Sequence, residues 1–428
     1  QHARLGNLLI RMERLDEARE ELARALQLNP QCAEACNAQG HLHERMGDRH
    51  AALEAYQKAV HLMAQEGNYC YDLAACLARM GRGGEAIGYL RSALAAQPQR
   101  HDWHHALGLC YASAGHWSAA ASHLARAADL SPGQARYHHD LGIATLRLGR
   151  LEDASASLEE ALRLDPARPA WQEELGAVYL QRGWLREAKS EFQGAISRQP
   201  NEPRHRHSLA LAQERLGEWE HALESLRQAL RLNPGYAPAY ELAGRILEGQ
   251  GRLEEARQMY RRAVEKAPRT AGYYVRLAGV LLKLGQGEEA LAPLRQAIQQ
   301  QPDVAAWQAE MAQLLWSLGR QEEALQHIAR AWELQPEETA HPARQAEYLL
   351  AMGQTEQAQE LLDRALERFP EDAVLLHVQG MLFQKIDRQE ESLAFFRRAV
   401  EKSPQEARYR LDLGILLRRG GEPDAAIA

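Results

Sequence analysis

Proline recurs along this chain at a fixed interval, and that interval constrains the fold more than any other feature of the sequence. Successive members of the series lie 34 residues apart, except for one gap of 68 residues in which Ala64 takes the expected place. The series is Pro30, Pro98, Pro132, Pro166, Pro200, Pro234, Pro268, Pro302, Pro336, Pro370 and Pro404. A period of this size is typical of solenoids of stacked helix pairs, in which each repeat buries its apolar face against its neighbours.

Every period also has the same internal pattern. When a repeat is numbered so that its proline is position 32, one repeat reads Leu141 at position 7, Gly142 at 8, Gly149 at 15, Ala154 at 20 and Ala161 at 27. Apolar residues at helical spacing predict one helix before the position-15 glycine and a second helix after it. The glycine permits the left-handed conformation that ends the first helix, and the proline prevents the second helix from continuing.

This pattern resembles the tetratricopeptide repeat (TPR) family over the whole chain. Twelve full or nearly full repeats and a partial thirteenth account for residues 1–428 as one solenoid. The resemblance implies an all-α, right-handed superhelix whose first helices line a concave face, with positions 2, 5, 9, 12 and 13 directed into the groove. The aromatic that the family often carries at position 4 stands here at position 3 in several repeats, as a packing variant: Trp103, Tyr137, Trp171, Tyr273, Trp307 and Tyr409.

Composition narrows the function. Acidic residues outnumber basic ones and give a formal net charge of −7, which argues against a nucleic-acid partner. No apolar run is long enough to insert into a membrane. Because the sequence begins inside a first helix and stops inside a second one, we expect it to be a segment of a longer chain.

Chemistry-bearing motifs are missing from the sequence. The five cysteines include no Cys-x-x-Cys pair and fall at helix-packing positions, which predicts buried free thiols in a mainly reducing compartment such as the cytoplasm. The 18 histidines form no His-Glu-x-x-His motif, and no serine or cysteine sits in a nucleophile motif. We therefore predict no catalytic residue, metal or cofactor.

The family resemblance directs attention to the groove positions. Position 5 carries Tyr, His or Glu in repeats 3 to 8, and positions 9 and 12 are mainly apolar there. This combination predicts a groove with an apolar floor and a polar wall, which suits an extended or helical peptide with apolar anchors. The predicted partner-binding residues are Tyr71, His105, Leu109, His139, Ile143, Leu146, Glu173, Leu180, His207, Leu211, Arg245 and Trp316. The basic residues at position 13 are interpreted as a solvated helix face.

The leading hypothesis is a scaffold or adaptor that holds a protein or peptide along its concave face. Two alternatives stay open. In the first, the chain assembles with itself, because uncapped solenoid ends could stack head to tail into filaments. In the second, the chain is the substrate-binding part of an enzyme whose catalytic domain lies outside it.

Overall fold

The computed structural model describes residues 1–420, and every regular element within that range is an α-helix. The helices are α1 His2–Arg11, α2 Leu15–Leu28, α3 Ala33–Arg45, α4 Arg49–Leu62, α5 Gly67–Arg79, α6 Gly83–Ala96, α7 His101–Ser113, α8 Trp117–Leu130, α9 Ala135–Arg147, α10 Leu151–Leu164, α11 Pro169–Arg182, α12 Leu185–Arg198, α13 Pro203–Arg215, α14 Trp219–Leu232, α15 Ala237–Gly249, α16 Leu253–Lys266, α17 Ala271–Lys283, α18 Gly287–Gln300, α19 Ala305–Ser317, α20 Gln321–Leu334, α21 Ala340–Ala351, α22 Thr355–Arg368, α23 Ala373–Lys385, α24 Gln389–Lys402 and α25 Ala407–Arg419. The fold is therefore an all-α solenoid of 34-residue helix-turn-helix repeats, as the sequence predicts. The second helix expected for the thirteenth repeat falls on residues 421–428, outside the described residues.

The turn inside each repeat depends on a left-handed residue at position 15. Ten glycines occupy this position with φ between 75° and 83°, which confirms the predicted role of the glycine. Glu13 and Asp387 take the same conformation with φ of 60° and 62° although they carry side chains. A Cβ in this region crowds the following carbonyl oxygen, so these two turns hold local strain.

Replacing Asp387 with glycine is expected to stabilise its repeat by about 0.5–1 kcal/mol, because relief of the left-handed strain exceeds the extra flexibility of glycine in the unfolded chain. Gly353 lies at position 15 of the preceding repeat with φ of 78°, so Gly353→Asp is the matched reverse change and should destabilise by a similar amount. Urea unfolding of both variants measures the difference. A stabilising Gly353→Asp would contradict this account of the turn.

Small residues at position 8 let the two helices of a repeat approach closely. A Cβ added to Gly142 would lie 2.8 Å from Cγ of Leu158, and one added to Gly40 would lie 2.3 Å from Cε1 of Tyr56. Gly67 follows Ala64, the residue in the place of the missing proline, and the sequence predicts that this glycine ends the second helix of repeat 2. The structure gives it a different role. It does not end the second helix of repeat 2, which stops at Leu62; it begins α5, and a Cβ there would lie 2.8 Å from the Trp103 ring.

The chain divides into two compact units, the first comprising Gln1–Leu232 and the second beginning at Asn233. Within the first unit, neighbouring first helices contact one another directly, as α1 does with α3, α5 with α7, α7 with α9 and α11 with α13; in the second unit α21 contacts α23 in the same way. Contacts between neighbouring second helices are sparser across the described chain. The first helices therefore form the more closely packed layer, which is called the inner layer.

Candidate functional site

Position 5 of one repeat pairs with position 6 of the next, 35 residues further along the chain. His105 Nε2 lies 2.7 Å from Asp140 Oδ2, and His139 Nε2 lies 2.7 Å from Glu174 Oε2. The same pairing recurs between Asn37 and Asp72 at 2.8 Å and between His377 and Asp412 at 2.7 Å. These hydrogen bonds join neighbouring first helices, so the position-5 side chains hold the layer of first helices together.

Aromatic rings repeat the contact with a spacing of 32 residues, from position 5 of one repeat to position 3 of the next. Tyr71 stacks on Trp103 with ring centroids 5.6 Å apart, and His139 stacks on Trp171 at 4.7 Å. His105 packs against Tyr137 at 4.5 Å. The position-3 aromatics of repeats 4, 5 and 6 therefore pack on the position-5 side chains of the repeats before them.

His139 and Asp140 each take part in two hydrogen bonds of this layer. Carboxylates face both ring nitrogens of His139, since Nδ1 lies 2.9 Å from Asp140 Oδ1 and Nε2 contacts Glu174. Burial alone would lower the pKa of His139, but hydrogen bonds to Asp140 and Glu174 outweigh it and raise the pKa to about 9. Burial likewise would raise the pKa of Asp140, yet the bonds from His105 and His139 hold it well below its usual range. His139 is therefore an imidazolium at neutral pH.

Sequence reasoning named His105 and His139 but missed their carboxylate partners. The signal lay in the sequence, because an acid at position 6 follows a histidine at position 5 of the preceding repeat in each case. Glu173, the position-5 residue of repeat 6, is buried and contacts Arg204 and His205 while accepting a 3.3 Å hydrogen bond from Ser208 Oγ. His207 is half-buried on α13.

The predicted apolar site residues at positions 9 and 12 are half-buried, but they do not all have the same surroundings. Leu109 lines a cleft of about 340 Å³ together with Ala75 and Ala78, where small side chains leave space between α5 and α7. Leu146 and Leu180, both at position 12, pack against the core of repeats 5 to 7. Three further position-9 residues of the first unit are half-buried: Ile143, Ala177 and Leu211.

Two predicted site residues belong to the second unit. Arg245 is half-buried on α15. Trp316 is half-buried on α19 and stacks on Tyr348 of repeat 11 with ring centroids 4.0 Å apart and an interplanar angle of 5°. One face of the Trp316 ring is covered by Tyr348, so only the rest of the ring could contact a partner. Trp316 is therefore a weaker anchor than a fully accessible tryptophan would be.

The thiols follow the sequence prediction in part. Cys36, Cys70, Cys76 and Cys110 are buried and free, whereas Cys32 is half-buried. Burial raises the pKa of each of the four buried thiols. In the described part of the chain, no three histidine, cysteine or carboxylate side chains are grouped so that they could hold a metal ion. Among residues 1–420, no helix combines the length and apolar character needed to cross a bilayer.

Models of known repeat families together match the whole length of this chain. The family model of the cilia and flagella-associated protein 70 C-terminal domain matches residues 30–239. Models of the tetratricopeptide repeat match residues 1–32, 215–281, 281–345, 344–407 and 377–428. No curated protein matches the chain.

Several solved structures are similar to parts of the chain. One is described as YrrB, a TPR protein with an unusual peptide-binding site; it is 19% identical, with 44% of this chain and 96% of that one covered and a TM-score of 0.41. The MamA protein is 24% identical, with 41% and 96% covered and a TM-score of 0.39. The Naa15/Naa10 complex bound to HypK is 14% identical, with 100% of this chain and 78% of that one covered and a TM-score of 0.42.

Proposed function

Because this chain belongs to the tetratricopeptide repeat family, a family of protein-interaction scaffolds, we propose that the inner face of its first unit binds a peptide segment with apolar anchors. The observation that carries the proposal is the column of half-buried apolar residues at position 9, Leu109, Ile143 and Leu211, beside the cleft next to Ala75 and Ala78. The chain acts as a scaffold, and the bound segment comes from another protein.

The chemistry of this column favours apolar side chains in the partner. Leucine and isoleucine side chains that are only half-buried gain when a ligand removes their remaining apolar surface from water, at about 25 cal/mol per Å². The polar side chains around them are already engaged, since His105 and His139 pair with Asp140 and Glu174. The floor of the groove therefore offers apolar contacts. The paired polar side chains of the wall are held in place and limit which peptide conformations fit. Tyr71, Leu146, Glu173, Leu180 and His207 complete the proposed contact surface on α5, α9, α11 and α13.

Replacing Leu109, Ile143 and Leu211 together with alanine is expected to weaken peptide binding at least about tenfold, because each truncation removes part of the apolar contact. The ligand is obtained by selecting a displayed library of random 12-residue peptides on the purified chain, and isothermal calorimetry measures its affinity. Leu146 and Leu180 are left intact because they pack against the core, where truncation would mix stability with binding.

Leu28, Leu130 and Leu232 provide the matched control, since each is the last residue of a second helix. Their alanine triple variant should bind the selected peptide as the unchanged chain does. Equal affinity of the groove variant and the unchanged chain would exclude this column as the binding surface. Light scattering across a concentration series accompanies the measurement, and a mass that rises with concentration would instead favour self-association.

A further inference from the structure

A concave pocket of the first unit lies at the start of the inner layer, in repeats 1 to 3, outside the apolar column. Its volume is about 1230 Å³, and the first helices α1, α3 and α5 together with the start of α4 line it. Four arginines line it: Arg11, Arg45, Arg49 and Arg79. Only two carboxylates do, Glu44 and Asp48, so the pocket is positive although the whole chain carries a formal charge of −7.

Both carboxylates of the pocket are engaged in internal contacts. Glu44 forms an ion pair with Arg79 across neighbouring first helices. Asp48 caps α4, and its Oδ1 accepts a 3.0 Å hydrogen bond from the amide of Ala51. Arg11 and Arg45 are exposed and have no carboxylate partner among residues 1–420, and the same holds for Arg49. Three of the four arginines that line this pocket therefore have no ion-pair partner among the described residues.

Arg11 and Arg45 differ in this respect from basic residues at the same position elsewhere. Position 13 of repeat 9 is Lys283, whose Nζ lies 2.7 Å from Glu248 Oε1. Position 13 of repeat 7 is Arg215, which donates a 3.1 Å hydrogen bond to the carbonyl of Leu180. The interpretation of position 13 as a solvated face therefore fits part of the series. Arg11 and Arg45 differ from Arg79 and Lys283, which pair with carboxylates, and both line the same pocket.

We propose that this basic pocket binds a carboxylate-rich peptide segment. Guanidinium groups recognise carboxylates with paired, charge-assisted hydrogen bonds, and three of them around one pocket provide several such contacts. The pocket and the apolar cleft adjoin on the same helix, because Arg79 and Met80 line the former while Ala75 and Ala78 of α5 line the latter. The inference rests on the proposed function in one respect only, which is that the same bound peptide occupies both sites. Its acidic residues would then lie over repeats 1 to 3 and its apolar residues over repeats 3 to 7.

A peptide suits this site better than a nucleic acid. The positive region is small. Glu44 and Asp48 also line the pocket, and the chain as a whole carries a net negative charge. A long polyanion would extend beyond the pocket and meet that negative field, whereas a short acidic segment fits within it. Electrostatic steering then favours acidic partners at the encounter.

Fluorescence anisotropy with a labelled ten-residue oligoglutamate peptide tests the proposal on the full chain at low salt. Saturable binding is expected, and the variant with Arg11→Gln, Arg45→Gln and Arg49→Gln should bind about tenfold more weakly, as the loss of three modest ion pairs implies. Added salt should weaken binding to the unchanged chain more than binding to the variant.

Arg186, Arg269 and Arg410 supply the matched control, since they are exposed and their triple glutamine variant changes the net charge equally. Unchanged affinity in that control supports the pocket; an equal loss in both variants, or no saturable binding, overturns it. Tighter binding of an oligodeoxynucleotide of the same charge would overturn the peptide assignment. The alanine variant of Leu109, Ile143 and Leu211 should bind oligoglutamate normally, because this probe has no apolar anchor. A failure of the pocket is thereby separated from a failure of the groove.

Discussion

Replacing Trp103 with alanine is expected to destabilise repeats 3 and 4 by about 3–5 kcal/mol, the cost typical of removing a buried tryptophan. Trp103 is fully buried on α7 and stacks on Tyr71 of the preceding first helix. Its ring also fills the space over Gly67, where even a Cβ would be too close. The cavity left by alanine would therefore open between two repeats. The helices around it are fixed by the turns within each repeat, so they cannot move far enough to fill the cavity.

The loss should stay local, because each repeat of a solenoid depends mainly on its neighbours. Hydrogen exchange measured by mass spectrometry should show faster exchange in α5 to α8 and little change in α11 to α14. Trp219→Ala is the matched control: Trp219 is 41% exposed at the start of α14 and its loss should change stability by less than about 0.5 kcal/mol. Equal effects of the two substitutions would mean that the position-3 ring contributes no more to stability than an exposed tryptophan.

The sequence predicts the fold almost completely because the repeat is local. Leu141, Gly142, Gly149 and Ala154 act within a single helix pair, so their spacing alone specifies helix, turn and close approach. The structure confirms this at Gly149, whose φ is 75°, and at Gly142, which lies against Leu158. Gly67 was harder to interpret, because its role depends on Trp103 in the next repeat and not on its own helix.

The candidate site could be predicted only in part, because its properties arise between repeats. The position of His139 on the inner layer follows from the family resemblance, but its charge depends on Asp140 and Glu174, the latter in the next repeat. Likewise, the position-13 arginines form a simple ladder in the sequence. Whether each is compensated depends on the acid that the neighbouring helix presents, as Glu44 does for Arg79 but not for Arg45.

The free energy of unfolding of the first unit is expected to fall as the pH rises from 6.5 to beyond 9, because His139 loses its proton in the folded state over this range. Its pKa rises from 6.5 in the unfolded chain to about 9 in the fold. The folded state therefore holds a proton that the unfolded chain has released, and the contribution is complete below pH 6.5 and is lost as the pH passes 9. Since the side chain is only 16% exposed, the shift corresponds to a contribution on the order of 3 kcal/mol.

His139→Gln tests this directly through urea unfolding at a series of pH values. The variant should be less stable than the unchanged chain at pH 6 by most of that amount, and the two should converge above pH 9, because the unchanged chain then also lacks the charge. His221→Gln is the control, since His221 is exposed and lies in the same unit; it should follow the unchanged chain at every pH. A difference between His139→Gln and the unchanged chain that stays constant from pH 6 to pH 10 would mean that His139 acts through packing on Trp171 alone. The imidazolium held between Asp140 and Glu174 would then make no net contribution to stability.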